Sequence, residues 1–107
     1  MNATQRATHA EALRAALKKL GWVENRHKHL TTKFAPSGDQ LRVYRIKFQA
    51  TSIRFEVQGL PTSLPAGMDN RKPWYRVSGG FIKDCAILDD GRVRVGGFIF
   101  NPLNEQK

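Results

Sequence analysis

The clearest pattern along the chain is the strict alternation of apolar and polar residues between residues 41 and 58. Alternation with a period of two is typical of half-buried β-strands, because successive side chains point to opposite faces. The apolar positions that share one face are Tyr44, Ile46, Phe48, Ile53, Phe55 and Val57. If Phe48 lies opposite Ile53 across a short loop, every apolar residue of one strand meets an apolar residue of the other. One register therefore satisfies all pairs, which predicts an antiparallel hairpin with strands at 41–49 and 53–58.

The N-terminal region has helical periodicity instead. Its apolar residues recur at three- and four-residue spacing from about residue 4 to residue 20, namely Ala10, Leu13, Ala16, Leu17 and Leu20. Asn2 or Thr4 could cap an early start of this helix, whereas Thr8 followed by Glu11 would cap a later one. Gly21 is expected to end the helix, since the position after the last turn often needs a positive φ.

Further strands are predicted at 29–35, at 74–81 and in a closing hairpin over 83–100. Asp90-Gly91 predicts a two-residue turn that sets Leu88 opposite Val93, and Gly96-Gly97 predicts a bulge or bend in the last strand. The Pro- and Gly-containing segment 59–73 is expected to be a long loop. The polar tail, residues 101–107, is expected to be frayed.

These elements predict one α+β domain over residues 1–107, because a chain of this length has room for a single core. The simplest architecture packs the N-terminal helix on one face of a twisted antiparallel sheet of about five to six strands, leaving the other face open. A small, partly open β-barrel plugged by the helix is the alternative.

Charge is the largest departure from an average composition. Eighteen Lys and Arg stand against nine Asp and Glu, so the formal net charge is +9. Such an excess attracts polyanions and favours nucleic acid or an acidic protein as the partner. No apolar run is long enough for a membrane span and no signal-peptide core is evident, so no membrane partner is expected. Cys85 is the single cysteine, which favours a reducing compartment such as the cytoplasm.

The alternation also assigns the basic residues to one side of the sheet. The outward set comprises Arg45, Lys47, Arg54, Arg76, Arg92 and Arg94, with Trp74 on the side of Arg76; Tyr75, Val77, Leu88, Val93 and Val95 join the inward set. Lys47 and Arg54 would lie directly opposite each other, which costs up to about 1 kcal/mol. Solubility and protection of sheet edges would also explain such charges. A binding surface explains them together with Trp74, since arginines contact phosphates and an aromatic ring stacks on bases.

A second cluster of possible functional residues is Arg26-His27-Lys28-His29. Arg26 and His29 could contribute to a phosphate-binding surface. A metal site is not expected, because zinc sites usually need three or four protein ligands and only two histidines lie together here. No other cofactor is indicated. Cys85 is expected to be a small buried residue and not a nucleophile.

The segment ALRAALKKLGWVENRHKH resembles the opening of the HicA-type messenger-RNA-cleaving toxins, which are small basic proteins of double-stranded-RNA-binding fold. Leu20-Gly21-Trp22, Arg26 and His29 match that family's pattern in kind. The Gly-Ser that usually precedes the family's histidine is absent, and no second helix is predicted after the sheet. The resemblance implies a catalytic role for His29.

Three hypotheses for the function follow. The first is a small, non-enzymatic nucleic-acid-binding domain that contacts phosphates and unpaired bases through the open face of its sheet. The second is a protein-binding inhibitor or adaptor, of the type that phages and mobile elements encode, whose basic face meets an acidic partner. The third, and the only enzyme among them, is a His29-dependent ribonuclease toxin.

Overall fold

The computed structural model describes residues 1–32, 44–58 and 74–103. The described elements are the helix α1 (Ala3–Lys19) and the strands β1 (Val23–Glu24), β2 (Leu30–Thr32), β3 (Tyr44–Phe48), β4 (Ser52–Gln58), β5 (Trp74–Phe81), β6 (Ala86–Ile87), β7 (Val93–Val95) and β8 (Phe98–Phe100), with a 3₁₀ turn at Ile82–Asp84. The expected loop at 59–73, residues 33–35 and 41–43 of the expected strands, and residues 104–107 of the expected tail lie outside the described residues.

Helix α1 has specific caps at both ends. The Asn2 side chain accepts a hydrogen bond from the Gln5 backbone N–H, and the Gln5 side chain accepts one from the Asn2 N–H, so the early start of the helix is confirmed. At the other end Gly21 has φ +115°, its N–H donates to the Lys18 carbonyl, and the Trp22 N–H donates to the Leu17 carbonyl. This pair of bonds is a Schellman motif, which requires a residue like glycine that tolerates positive φ.

The first five strands form one antiparallel sheet in the order β1-β2-β3-β4-β5. The register predicted for the central hairpin is confirmed: Tyr44 pairs with Val57, Ile46 with Phe55, and Phe48 with Ile53. Strand β1 was not predicted, because two residues are too few to show an alternating pattern.

The last three strands form a separate sheet in the order β6-β7-β8. The predicted register of its first hairpin is wrong by one residue, since Val93 lies opposite Ile87 and not Leu88. The Gly91 N–H donates to the Leu88 carbonyl and Gly91 has φ +90°, so the loop has three residues instead of two. A type I turn followed by a glycine at positive φ is the common three-residue hairpin loop.

Gly96-Gly97 is a turn between two strands and not a bulge or bend within one. Val95 pairs with Phe98 across these two glycines, and Gly96 has φ +58°. Gly96 also lies directly against β5, where a Cβ on Gly96 would collide with the carbonyl oxygen of Gly79. A backbone-to-backbone approach of this kind holds the second sheet against the end of β5.

The core lies on one face of the five-stranded sheet. Its central residues expose at most 1% of their surface: Leu13 and Leu17 of α1, Ile46 and Phe55 of the large sheet, and Val93 of the second sheet. Phe55 is central to this core, because its ring contacts the rings of Trp22, Tyr44, Phe98 and Phe100. The helix and the small sheet therefore cover the same face, and the predicted α+β architecture is confirmed, without closure into a barrel.

The end of the described chain is attached to the helix. The Leu103 N–H donates to the Leu20 carbonyl at 2.7 Å, and Leu103 packs against the core beside Gly21. Residues 101–103 are therefore held in place, contrary to the frayed tail expected there. Within the described residues, no helix is both long and apolar enough to cross a bilayer.

Candidate functional site

The face of the large sheet opposite the core carries a dense set of charged side chains, and we refer to it as the outer face. Its members on the described strands include Arg45, Lys47, Arg54, Glu56, Trp74 and Arg76. The pairing rows explain their proximity. Arg45 lies opposite Glu56, which lies opposite Arg76, and in the next row Lys47 lies opposite Arg54. The predicted juxtaposition of Lys47 and Arg54 is therefore confirmed.

A bulge in β5 changes which residues of that strand reach the outer face. Phe55 pairs with Ser78 and Glu56 with Arg76, so the pairing skips Val77. Since one extra residue reverses the alternation of the strand, the residues beyond it point the opposite way from the prediction. Phe81, which pairs with Ser52, consequently lies on the outer face.

Two residues of β5 that were predicted to be in the core are exposed. Val77 is 46% exposed, because the bulge removes it from the alternation. Tyr75 shares the side of Val57 but is 53% exposed. Both lie on β5, an edge of the large sheet, where fewer neighbours are available to bury a side chain.

The acidic residue Glu56 organises part of the outer face. Only 5% of Glu56 is exposed, and its Oε1 accepts a 2.7 Å hydrogen bond from Nε of Arg45. Its Oε2 lies 3.9 Å from a guanidinium nitrogen of Arg54. The guanidinium of Arg45 also lies over the Trp74 ring, 3.9 Å from its centroid. Arg45 is thus fixed by an ion pair and a cation–π contact, and this contact occupies one face of the ring that we expected to stack on bases.

Arg54 and Arg76 border an open groove of about 210 Å³ on the outer face, with Gln49, Ser52 and Phe81 also lining it. Gly79 lies opposite Arg54, and its lack of a side chain leaves room for the guanidinium of Arg76. A Cβ at Gly79 would be 3.0 Å from a terminal guanidinium nitrogen of Arg76, so a larger residue would push that side chain away. Both arginines are exposed to solvent, which leaves their N–H groups available to an anion.

The loop between β1 and β2 places the histidine cluster at the edge of the outer face. The Asn25 side chain accepts hydrogen bonds from the backbone N–H groups of His27 and His29, at 2.9 and 3.0 Å. Arg14 of the helix donates to the Lys28 carbonyl at 2.8 Å. These bonds hold the loop, in which Lys28 has φ 62°. The strand register continues from Leu30 opposite Ile46, so His29 comes beside Lys47.

The environment of His29 disfavours its protonated form. Burial lowers the pKa of His29 below its usual value, and the nearby charges of Arg45 and Lys47 lower it further, with a smaller contribution from His27. Glu56 acts in the opposite direction. The electrostatic field at His29 is therefore positive, which is the field that attracts an anion.

The remaining candidate residues do not all join this surface. Arg94 lies on β7 of the second sheet, and Arg92 immediately precedes that strand. The structure therefore separates both residues from the basic residues of the large sheet. Arg92 is moreover paired with Asp90 at 2.6 Å. Arg26 is exposed in the loop beside His27, with its Nε 3.4 Å from Nε2 of that ring. The outward set predicted from the alternation was therefore too large.

The alternation predicts the outward facing of Glu56, whereas the outward facing of Phe81 was missed. The sequence marks Glu56 as the only acid in the alternating basic set, but its burial and its ion pair with Arg45 appear only in the structure. Phe81 had no such signal, because its facing depends on the bulge at Val77.

The described residues offer little catalytic chemistry. No three His, Cys, Asp or Glu side chains among them come together as metal ligands. Burial raises the pKa of the Cys85 thiol, and the charge of Asp84 adds to this, so the reactive thiolate is disfavoured. Among the described residues, the outer face presents mainly cationic side chains, which are groups that can contact an anion.

The fold and site together define a small α+β protein in which a helix and a three-stranded sheet cover one face of a five-stranded antiparallel sheet and a basic surface occupies the other. Comparisons with protein-family models, with curated proteins and with solved structures find no match to this chain.

Proposed function

We propose that the protein is a small nucleic-acid-binding domain that contacts phosphates and unpaired bases through the outer face of its large sheet. The observation that carries the proposal is the clustering of Arg45, Lys47, Arg54 and Arg76 around one buried carboxylate, Glu56. One acid against four bases leaves the surface strongly positive. A polyanion relieves the repulsion between such neighbours and gains phosphate contacts.

The rigidity of this surface supports binding over simple solvation. Arg45 is held between Glu56 and Trp74, so its guanidinium group is ordered before any ligand arrives. Ordering a long side chain costs conformational entropy, and a surface that served only solubility would gain nothing from that cost. Preordered donors lose less entropy on binding.

The test is a pair of matched double variants. Arg54→Glu with Arg76→Glu reverses two charges on the outer face, whereas Arg92→Glu with Arg94→Glu makes the same change in net charge on the segment of the second sheet. Affinity for short single-stranded DNA and RNA, measured by fluorescence anisotropy over a range of salt concentrations, should fall at least about tenfold in the first variant only. The slope of log K against log salt should also fall by roughly 1 for each phosphate that the variant no longer binds.

Equal losses of affinity in the two variants would show that bulk charge alone drives binding, and the assignment to the outer face would be wrong. Recovery of intact oligonucleotide is expected. Cleavage that disappears in His29→Ala would instead support the ribonuclease hypothesis. A protein partner that stays bound after nuclease treatment would support the adaptor hypothesis.

A further inference from the structure

Phe81 is exposed at the end of β5, where the alternation of the sequence does not place an outward aromatic residue. The side chain is 58% exposed, and its pairing with Ser52 puts it on the outer face. Burial of an apolar ring stabilises a protein, so the fold gives up that stabilisation by leaving Phe81 in water. Trp74 at the other end of β5 is half-buried and already in contact with Arg45.

The backbone around Phe81 is fixed on both sides. The Ile82 N–H donates to the Thr51 carbonyl at 2.9 Å, and the Ile82 side chain is buried in the core. The Phe81 carbonyl accepts a hydrogen bond from the Cys85 thiol at 3.3 Å. The ring is therefore presented to solvent from a rigid position, which limits the entropy that a ligand must remove.

Two basic grooves meet at this ring. On one side lies the groove of about 210 Å³ with Arg54 and Arg76. On the other side lies a groove of about 380 Å³ that Phe81 lines together with Arg6 and Lys83. Arg6 is held in place by donating from its Nε to the Ala50 carbonyl at 3.1 Å. The ring thus lies between two pairs of cations that come from different parts of the chain.

We infer that Phe81 is a stacking platform for an unpaired nucleobase, and that the two grooves receive the phosphates on either side of that nucleotide. This inference rests on the proposed function and assigns a subsite to it. A chain that alternates flat apolar bases with anionic phosphates has the chemistry that matches a ring between two basic grooves. A duplex keeps its bases paired and stacked inside, so the subsite selects single strands.

The combination of an exposed ring with four cations favours nucleic acid over an acidic protein as the ligand. A carboxylate-rich protein surface would satisfy the four cations, but it does not place a flat ring between successive anions at every repeat, as a single-stranded nucleic acid does. Single-stranded DNA and RNA share the required chemistry. Oligothymidylate and oligouridylate of equal length represent these two sources, and they differ in the 2′-hydroxyl of RNA and in the C5 methyl group of thymine.

The test measures the contribution of bases separately from that of phosphates. The probes are an oligothymidylate, the matching oligouridylate, an abasic oligomer with the same number of phosphates, and a blunt DNA duplex. The variants are Phe81→Leu, which removes the ring, and Phe81→Trp, which enlarges it. Tyr75→Leu is the control, because Tyr75 is an exposed aromatic of the same strand that shares the opposite side with Val57.

Phe81→Leu should bind the base-containing single strands about tenfold more weakly, while its affinity for the abasic oligomer should not change. Phe81→Trp should bind at least as tightly as the natural chain, and Tyr75→Leu should bind equally well. The natural chain should prefer the base-containing strand over both the abasic oligomer and the duplex. That last comparison needs no variant, so it tests the contribution of the bases even if Phe81→Leu fails to fold, and Phe81→Trp then tests whether that contribution arises at Phe81.

The binding measurements distinguish an error in the role of Phe81 from an error in the proposed function. Unchanged affinity in Phe81→Leu, or equal binding of the abasic oligomer by the natural chain, would overturn the role of Phe81. The assignment of nucleic-acid binding to the outer face would still hold if Arg54→Glu with Arg76→Glu abolished binding. If the natural chain bound none of the four probes, both proposals would be wrong.

Discussion

The carboxylate of Glu56 and the guanidinium of Arg45 form a 2.7 Å ion pair on the outer face of the large sheet, and Glu56 is 5% exposed. The pair brings an acid into the middle of a surface that otherwise carries positive charge. Under the proposed function, stability and affinity for nucleic acid are expected to depend on Glu56 in opposite directions.

We predict that Glu56→Gln destabilises the fold and strengthens the binding of nucleic acid. The neutral amide loses a charge-assisted hydrogen bond in a largely buried site, which should lower the free energy of unfolding by about 1–3 kcal/mol. Removal of the negative charge should raise affinity about fivefold, which corresponds to the energy of about 1 kcal/mol between two unit charges 4 Å apart in water. Urea denaturation and fluorescence anisotropy measure the two effects.

Glu24→Gln is the matched control for this prediction. Glu24 also pairs with an arginine, Arg14, but it is exposed and lies near α1. Exposed ion pairs contribute little, so this variant should lose less stability than Glu56→Gln and should bind with unchanged affinity. A Glu56→Gln protein that bound more weakly would contradict the prediction.

We predict that affinity for single-stranded nucleic acid rises as the pH falls, and that His29 is responsible for part of this dependence. In the free protein the pKa of His29 is lowered by burial and by Arg45, Lys47 and His27, against the opposing charge of Glu56. A bound phosphate stabilises the imidazolium and raises this pKa, so binding is linked to proton uptake. Affinity should therefore rise as the pH falls through the interval between the bound and the free pKa.

The stability of the free protein should depend on pH in the opposite way. Because the folded pKa of His29 lies below its unfolded value, the unfolded state binds more protons, and acidification below about pH 6.5 should destabilise the fold. His29→Gln should weaken both dependences. His9→Gln is the control, since His9 lies on α1 with its ring bonded to the Cys85 carbonyl. Identical pH profiles in the natural chain and His29→Gln would refute the assignment.

We predict that Gly96→Ala is much more destabilising than Gly97→Ala. At Gly96 the backbone has positive φ and an added Cβ would collide with the Gly79 carbonyl oxygen, so strain and overpacking should together cost at least about 2 kcal/mol. At Gly97 nothing lies within 4 Å of an added Cβ, so the change should stay within about 0.5 kcal/mol. Thermal and urea unfolding of the two variants provide the measurement. Equal destabilisation would show that the close approach of the second sheet to β5 contributes nothing.

Much of the fold could be predicted because its signals are local. The register of β3 against β4 follows from matching apolar residues across a short loop, and the start and end of α1 follow from Asn2 and Gly21. The juxtaposition of Lys47 and Arg54 follows from the same register. These features depend on residues that are close in sequence, so a pattern of a few positions is enough to specify them.

The division into two sheets could not be predicted in this way. Alternation places Arg94 on one side of its own strand, but it does not specify the sheet to which that strand belongs. The assignment depends on the contact between Gly96 and Gly79, which are far apart in the chain. A long-range contact leaves no periodic signal, and the outward set was overestimated for this reason.

The sequence by itself determined the helix, the central hairpin and the excess of positive charge. Capping and alternation depend on residues that are close together in the chain, and net charge depends on composition alone. Only the tertiary structure decided that Glu56 is buried among arginines, that Arg92 and Arg94 leave the basic surface, and that Phe81 faces outward. The position of Arg92 and Arg94 depends on the sheet to which their segment belongs, and the burial of Glu56 accompanies its ion pair with Arg45. The facing of Phe81 depends on one residue of register at the bulge of Val77. Packing between distant segments selects that register, because a shift of one residue moves every following side chain to the opposite face.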